Sequence, residues 1–437
     1  MAQGGDHHPD HSQAVLHINL DERRVGEVRW SAACDVYGGL CPCTPPDWVR
    51  VSNRMDDGQI RVDTRFPASA YCQNDEMRAH NFGAGPCTLP LDVLEEAREE
   101  FIDFAGTGMS IIEMSHRSPE YEAIHNEALQ LARQVAEVPD DFEVLFVQGG
   151  ATLQFAMVAM NLLRSGEKGA YVVSGSWGKR AIEDAAPHGE VYAAWDGEQA
   201  GYTTMPTMDE VKVIGGTRYL HVTSNETIGG IRMVDFPRAE VPLVADMSSD
   251  YLSRPIEWDL FDLVYGGVQK NLAPAGLAVV YIRKRALENA RHDLGSYLRY
   301  DWHAKSKSLG NTPAMFPIYL MGKVLRRFVA AGGVRALEKQ AAEKAGLIYQ
   351  TIDRSEGFYR NPVGEKYRSH MNVVFRLPEP SLEALFLKEA ESRHMIGLKG
   401  HRSVGGCRAS LYAALPVDSV EVLSEFMEEF ARSHRAL

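Results

Sequence analysis

Three places in this chain combine residue types and spacings that could do chemistry. The first is "FVQGGATLQF", where an apolar strand runs into Gly149, Gly150, Ala151 and Thr152 and then into a helix. Free backbone N–H groups and the positive end of a helix dipole would make that junction a cup for a phosphate, with the Thr152 hydroxyl added. The second is Asp246 in "VPLVADMSSDYL", a carboxylate at the end of a buried strand. It is costly there unless it faces a cation or a protonated ring nitrogen. The third is Lys270 in "VYGGVQKNLAPAGLAVVYI", set among glycines and apolar residues between two strands. Burial can tune such an amine downward and make it a nucleophile toward carbonyl carbon. Each has a plainer reading when taken alone: a glycine turn before a helix, an Asp N-cap, a lysine reaching from a strand end to solvent.

Together they are more specific. A phosphate cup, then an Asp, then a Lys 24 residues after it is the order expected where pyridoxal 5'-phosphate is held through a lysine Schiff base. The Asp keeps the pyridine nitrogen protonated, so that the ring draws electrons from the substrate Cα. Trp177, at the end of "AYVVSGSW", is then placed to stack on the ring, and Thr227 in "SNETIGG" to hydrogen-bond its 3-oxygen. Without that context a structural tryptophan is the plainer reading.

The elements that must position these residues follow from periodicity. "EVLFVQGG", "GAYVVSGSW", "TRYLHVTSNET", "VPLVADMSS", "DLVYGGVQK" and "GLAVVYIRK" read as short apolar strands ending in polar or small residues. Such strands separated by helices predict a mainly parallel sheet covered on both faces, of α/β class, with the ligand crevice beyond the carboxyl ends. "TLPLDVLEEAREEFIDF" predicts a helix with a Thr N-cap and a nearby Pro. After the long helix "GGVRALEKQAAEKAGLIYQTIDRS", the pieces "RSHMNVVFRL", a helix over 381–394 and "GGCRASLYAAL" predict a smaller α+β domain. The expected division is an extension over 1–79, a large domain with its N-terminal segment over 80–333, and a small domain over 334–437.

The 437 residues carry a net charge of -13 and are 45% hydrophobic, ample for a large core. No basic block points to nucleic acid or an anionic membrane, and no run of about 18 apolar residues predicts a spanning helix. The N-terminus shows no Sec signal pattern, so the cytosol is the default expectation. Four of six cysteines, Cys34, Cys41, Cys43 and Cys72, fall in the first 79 residues, which hold no lysine and little periodicity. "CPC" at 41–43 with His7, His8 and His11 upstream lacks the usual zinc-knuckle spacing, and no metal is expected. Met77 stands just before "RAHNFGAGPCTLP", so an upstream start codon and an appended tail are both open readings of that segment.

From about residue 80 onward the chain resembles the phosphoserine aminotransferases, within the fold-type I, class V aminotransferases. The matching stretches are "NFGAGPCTLP", "SIIEMSHRSPEY", "VLFVQGGATLQF", "SNETIGGI", "ADMSSDYLSRPI", "YGGVQKNLAPAGL", "NTPAMFPIY" and "LKGHRSVGGCRASLYAALP". The resemblance implies a seven-stranded sheet in the large domain, pyridoxal 5'-phosphate as cofactor, and a homodimer. It implies Lys270 as the Schiff-base lysine, Asp246 on the ring nitrogen, Trp177 stacking, and Thr227 on the 3-oxygen. Ala151 and Thr152 would form the phosphate cup, with Ser248 and Gln269 nearby, and Asn311 and Thr312 would reach the cofactor of the other subunit. Some members carry an arginine where this chain has Thr152, and residues 1–79 match no part of the family pattern.

Two loops, "SHR" with His116 and Arg117 and the glycine-rich "KGHRSVGGCR" with His401, Arg402 and Arg408, concentrate cationic side chains in an acidic protein. By the resemblance, Arg408 takes the substrate α-carboxylate and the His–Arg pairs take a distal phosphate or carboxylate. The implied reaction is ping-pong transamination between L-glutamate and 3-phosphohydroxypyruvate, giving O-phospho-L-serine and 2-oxoglutarate in serine biosynthesis. The same pocket could also take 4-phosphohydroxythreonine, the related step in pyridoxal phosphate biosynthesis, since that substrate differs mainly by a hydroxyl. The rivals are another class V enzyme, such as an alanine–glyoxylate aminotransferase or a cysteine desulfurase, and a non-catalytic binding protein that keeps the fold.

Overall fold

The computed structural model describes residues 78–435 and, within the first 77, two paired strands, Ala33–Cys34 and Gly39–Leu40. The chain divides into two compact units, Met1–Arg78 and Ala79–Leu437. The CPC run and His7, His8 and His11 lie outside the described residues.

The second unit is built on a seven-stranded sheet. Its strands are β1 (Phe142–Gln148), β2 (Lys168–Val173), β3 (Glu190–Asp196), β4 (Thr217–Thr223), β5 (Leu243–Asp246), β6 (Leu263–Gly267) and β7 (Leu277–Arg283). Their spatial order is β1-β7-β6-β5-β4-β2-β3. β7 runs antiparallel to both of its neighbours, and the other adjacent pairs are parallel. Six strands therefore point their carboxyl ends at one edge, as continuous apolar strands between helices require. Helices Pro119–Val135 and Met315–Ala330 bury their apolar faces on one side of the sheet. Helices Gly150–Leu162 and Ser176–Ala185 cover the other.

A second core gathers Phe82 with residues from Ala345 to Ala431. It is framed by helices Gly333–Arg354, Pro380–Ser392 and Val417–His434 and by the antiparallel pair Asn372–Phe375 and Cys407–Ser410. Phe386 sits at its centre against Tyr359, Phe375, Phe426 and Phe430. Truncating such a ring to alanine costs about 3–5 kcal/mol, because the surrounding rings cannot collapse into the space. His80–Asn81 pairs with Met395–Ile396, so the first described residues add a strand to this C-terminal core.

Three local expectations change. Helix Leu91–Glu100 starts at Pro90 with no side-chain cap; Thr88 instead donates its hydroxyl to Asn81 O at 3.1 Å. The ring of Pro90 sets the entry into the helix, which leaves Thr88 free to brace the preceding turn. β3 was not among the strands read from the sequence. It is an edge strand with most positions partly exposed, so it lacks the apolar run of its neighbours. Trp177 lies in the first turn of helix Ser176–Ala185, four residues beyond the end of β2, not in the strand itself.

Candidate active site

The carboxyl edge of the sheet collects the chemical residues by simple topology. β5 ends at Asp246, β4 at Thr223, β2 at Val173 and β1 at Gln148, while Lys270 sits in the turn between β6 and β7. That turn is fixed by Leu272 N–H and Ala273 N–H donating to Val268 O at 2.9 and 3.0 Å. Lys270 is 8% exposed, and its Nζ donates to Thr227 Oγ1 at 2.7 Å. The same nitrogen lies 5.1 Å from the centroid of the Trp177 ring.

Asp246 Oδ1 accepts from Ser248 N–H at 2.9 Å and from Ser248 Oγ at 2.6 Å. Gly267 N–H in turn donates to Ser248 Oγ at 3.0 Å, which ties β5 to the strand leading into Lys270. Burial pushes the Lys270 ammonium below the usual lysine range; the Asp246 and Glu226 carboxylates pull it back up, and Arg408 adds to the lowering. Burial pushes Asp246 up, against the pull of Lys270 and of the Ser248 bonds. Arg408 is lowered by burial and reaches toward Thr227 O at 3.5 Å.

The phosphate-cup junction has the geometry its glycines foretold. Gly149 and Gly150 take left-handed backbone at φ 97° and 62°, which only glycine adopts without cost. The helix they start has no side-chain cap, so its first N–H groups remain available. Ala151 lies beside Gly267, where an added Cβ would come within 3.4 Å of the Ala151 Cβ and 2.7 Å of Gln269 Oε1. Gly267 is therefore the residue that lets Gln269 and Ala151 converge. Thr152 is exposed on the first turn.

Lys270, Trp177, Thr227 and Arg408 are thus joined by close approaches, Asp246 and Ser248 are hydrogen-bonded to each other and through Ser248 to Gly267, and Gln269 and Ala151 flank Gly267, while six other anticipated residues make no hydrogen bond with this group. His116 is half-buried with its Nε2 unpartnered, and Arg117 is exposed. His401 shares a 2.7 Å hydrogen bond with Ser403 Oγ, and Arg402 is exposed in the same loop. Asn311 donates to Gln148 Oε1 at 3.0 Å, and Thr312 is exposed. Among the described residues, none of these six hydrogen-bonds to the Lys270 group.

Glu226 was missed. It is fully buried, accepts from Trp177 N–H at 2.9 Å and Gly178 N–H at 2.7 Å, and burial pushes it up to about 7. A glutamate inside a strand-like run was its only sequence signal. Asn271 was also missed; it donates to Tyr251 O at 2.7 Å and accepts Ala413 N–H at 2.8 Å, fixing the residue after the lysine.

The family model for aminotransferase class V matches residues 79–423. The phosphoserine aminotransferase of Geobacillus kaustophilus is 48% identical over 355 residues, covering 81% of this chain and 99% of its own. The chain belongs to the phosphoserine aminotransferases. The solved phosphoserine aminotransferase of Bacillus circulans subsp. alkalophilus superposes with a TM-score of 0.80 at 48% identity, covering 82% of this chain and 99% of that one. Chloroplastic phosphoserine aminotransferase 2 of Arabidopsis thaliana is 41% identical over 394 residues, 90% of this chain and 92% of its own. That alignment is longer than the chain from residue 79 onward, so the likeness takes in part of residues 1–79, against the expectation that these match no part of the family.

Membership of this family makes the chain an aminotransferase and implies pyridoxal phosphate as its cofactor. The residues present fit such a group. Trp177 Nε1, Gln269 Oε1, Arg408 Nε, Thr223 Oγ1 and Ser174 Oγ are buried polar atoms without partners, an expensive arrangement in a closed core. Two of them, on Trp177 and Arg408, belong to side chains in direct reach of Lys270 or Thr227. The cysteine desulfurase alternative gains no support among the described residues, since burial pushes the thiols of both Cys87 and Cys407 upward, away from the thiolate such chemistry needs.

Proposed function

We propose that this chain transfers the amino group of L-glutamate to 3-phosphohydroxypyruvate, giving 2-oxoglutarate and O-phospho-L-serine, the transamination of serine biosynthesis. The observation that carries the reading is the Lys270 amine, buried at the sheet edge between the Thr227 hydroxyl and the Trp177 ring, with Asp246 among the carboxylates it meets. Lys270 would hold pyridoxal 5'-phosphate, Trp177 would cover its ring, Thr227 would bond its 3-oxygen, and Ala151, Thr152, Ser248 and Gln269 would take its phosphate. When bound, the cofactor supplies an electron-poor ring that accepts the electron pair released at the substrate Cα.

The protein's own residues then divide the work. Lys270 Nζ removes the Cα proton of glutamate in one half-reaction and delivers a proton to the Cα of the product in the other. Burial favours the neutral amine, which is the form a base needs. Asp246 keeps a proton on the ring nitrogen; the Ser248 bonds hold its carboxylate in one orientation for that task. Arg408 pairs with the α-carboxylate, and its unpartnered Nε leaves a donor for it. His116, Arg117, His401 and Arg402 take the distal anion, phosphate in one substrate and carboxylate in the other. A guanidinium suits both.

We further infer a homodimer in which Asn311 and Thr312 of one copy complete the cofactor site of the other, and a functional division of the chain near residue 333. The deciding experiment offers the purified chain glutamate with 3-phosphohydroxypyruvate, pyruvate or glyoxylate in a coupled assay. Turnover with the phosphorylated acid is expected; turnover confined to the other two would sink the phosphate reading.

A further inference from the structure

Glu226 is fully buried beside Thr227, and no step of the transamination described above uses it. Its two oxygens accept the N–H groups of Trp177 and Gly178. Those are first-turn donors of helix Ser176–Ala185, which has no side-chain cap of its own. A carboxylate from a distant strand therefore fills the capping role, where negative charge meets the positive end of the helix. The helix start is shaped to admit it. A Cβ at Gly175 would meet Glu226 Cδ at 2.6 Å, and a Cβ at Gly178 would lie 3.4 Å from Oε1.

On its other side Glu226 closes the short strand Asn225–Glu226, and the next residue, Thr227, accepts the Lys270 bond. One side chain thus ties the helix that carries Trp177 to the strand end that carries Thr227. Lys270 Nζ and the Trp177 ring face each other 5.1 Å apart between those two elements. Lys270 and Asp246 also act on the Glu226 carboxyl, and Tyr202 feels it from the segment after β3; the helix meets it with backbone N–H groups.

We propose that Glu226 is a positioning residue of this site: its carboxylate docks the first turn of the Trp177 helix onto the Thr227 strand end and, with Asp246, supplies the negative charge that Lys270 meets. The docking half stands on the protein alone. The charge half rests on the cofactor reading given above.

The test uses the full chain with and without pyridoxal phosphate, in three variants: Glu226→Gln, Glu226→Asp and Gly175→Ala. Trp177 emission, isolated by subtracting the spectrum of a Trp177→Phe protein, is read first without cofactor. Glu226→Gln keeps the shape but turns an amide donor toward one of the two N–H groups. Gly175→Ala displaces the carboxylate and keeps its charge. Both are expected to shift the emission maximum and to increase quenching by acrylamide. With cofactor, Glu226→Gln is expected to move the pH midpoint of the bound-cofactor absorbance down by up to about one unit, because the negative charge that Glu226 carries above about pH 7 is gone. Gly175→Ala moves that midpoint less, and Glu226→Asp falls between wild type and Glu226→Gln. The cofactor dissociation constant of Glu226→Gln rises about tenfold, the scale of a lost charged hydrogen bond.

Unchanged Trp177 emission in both Glu226→Gln and Gly175→Ala overturns the docking role. An unshifted absorbance midpoint in Glu226→Gln overturns the charge role. If Glu226→Gln does not fold, Gly175→Ala decides the docking role by emission and Glu226→Asp decides the charge role by its midpoint. If the wild-type chain takes up no cofactor, the cofactor reading and the charge role fall together, while the emission comparison still decides the docking.

Discussion

Among the described residues, two buried lysines have no ion pair, one in the turn after β6 and one in helix Gly333–Arg354. Lys344 is completely buried, and its Nζ donates to two backbone carbonyls, Tyr412 O at 2.6 Å and Leu415 O at 3.1 Å. Lys270 donates to one hydroxyl, meets the charge of Asp246 and Glu226, and has unpartnered polar atoms on the side chains around it. Burial lowers both amines, Lys344 to about 7. The lowering is therefore no sign of chemistry by itself. What separates them is acceptor supply. Lys344 spends its donors on closing the turn at 412–415, the turn whose Ala413 N–H is held by Asn271 next to Lys270. Lys270 keeps reach for a group that the chain alone does not supply.

The contrast breaks most easily at Lys270. Lys270→Ala is expected to lower transamination by at least about 10³-fold, the loss of both anchor and proton carrier, with little change in thermal unfolding of the cofactor-free protein. Near-normal turnover would remove the functional half of the comparison. Lys344→Met tests the other half. It leaves Leu415 O without a donor and Tyr412 O with only the Leu415 N–H, so a loss of about 1–3 kcal/mol in stability is expected by denaturant unfolding. Its turnover stays within a few-fold at a temperature where it remains folded; a selective collapse of activity in a stable Lys344→Met protein would mean that both lysines serve the reaction.

A smaller effect sharpens the account of the Lys270 partner. Thr227→Val removes the one hydroxyl that Lys270 donates to and is expected to lower kcat/KM about tenfold, as for one hydrogen bond to a charged group. An unaltered pH profile and rate would show that Thr227 is only a neighbour. The smallest effect is on pH dependence. The folded Lys344 releases its proton near 7, well below the ordinary 10.5. Between those values the unfolded chain binds the proton and the folded one does not, so stability contributed at this site rises with pH across that window. Wild type minus Lys344→Met should gain about 1 kcal/mol per pH unit from 7 to 9. A flat or falling difference would place Lys344 in a less desolvated setting than the carbonyl pair implies.

Much of this site was legible because it is built at strand ends. The apolar runs ending at Gln148, Asp246 and Gly267 mark their own boundaries, and parallel topology brings such ends to one edge. The Gly149–Gly150 junction was legible for the same local reason, since left-handed backbone selects glycine. Edge strand β3 was not legible, because partly exposed positions blur the pattern. Glu226 was not, because its partners are backbone N–H groups 48 and 49 residues away, and a backbone donor leaves no residue type to notice. The basic loops were legible by composition alone; in the folded chain Arg117 and Arg402 remain in solvent, where an unpaired guanidinium costs least until an anion arrives.

The amino-acid order by itself determined the strand-and-helix alternation, the glycine turns, and the identity of the lysine, aspartate and arginine set, because each depends on near neighbours or on residue chemistry. Tertiary structure alone decided that Lys344 is buried. Lys344, in "EKQAAEKAGLIY", reads as one more cation on an amphipathic helix, and only the arrival of the chain at 412–415, nearly seventy residues on, removes it from water. Burial is a property of what packs on top. No local pattern encodes that, and the energy of a buried charge is set by it.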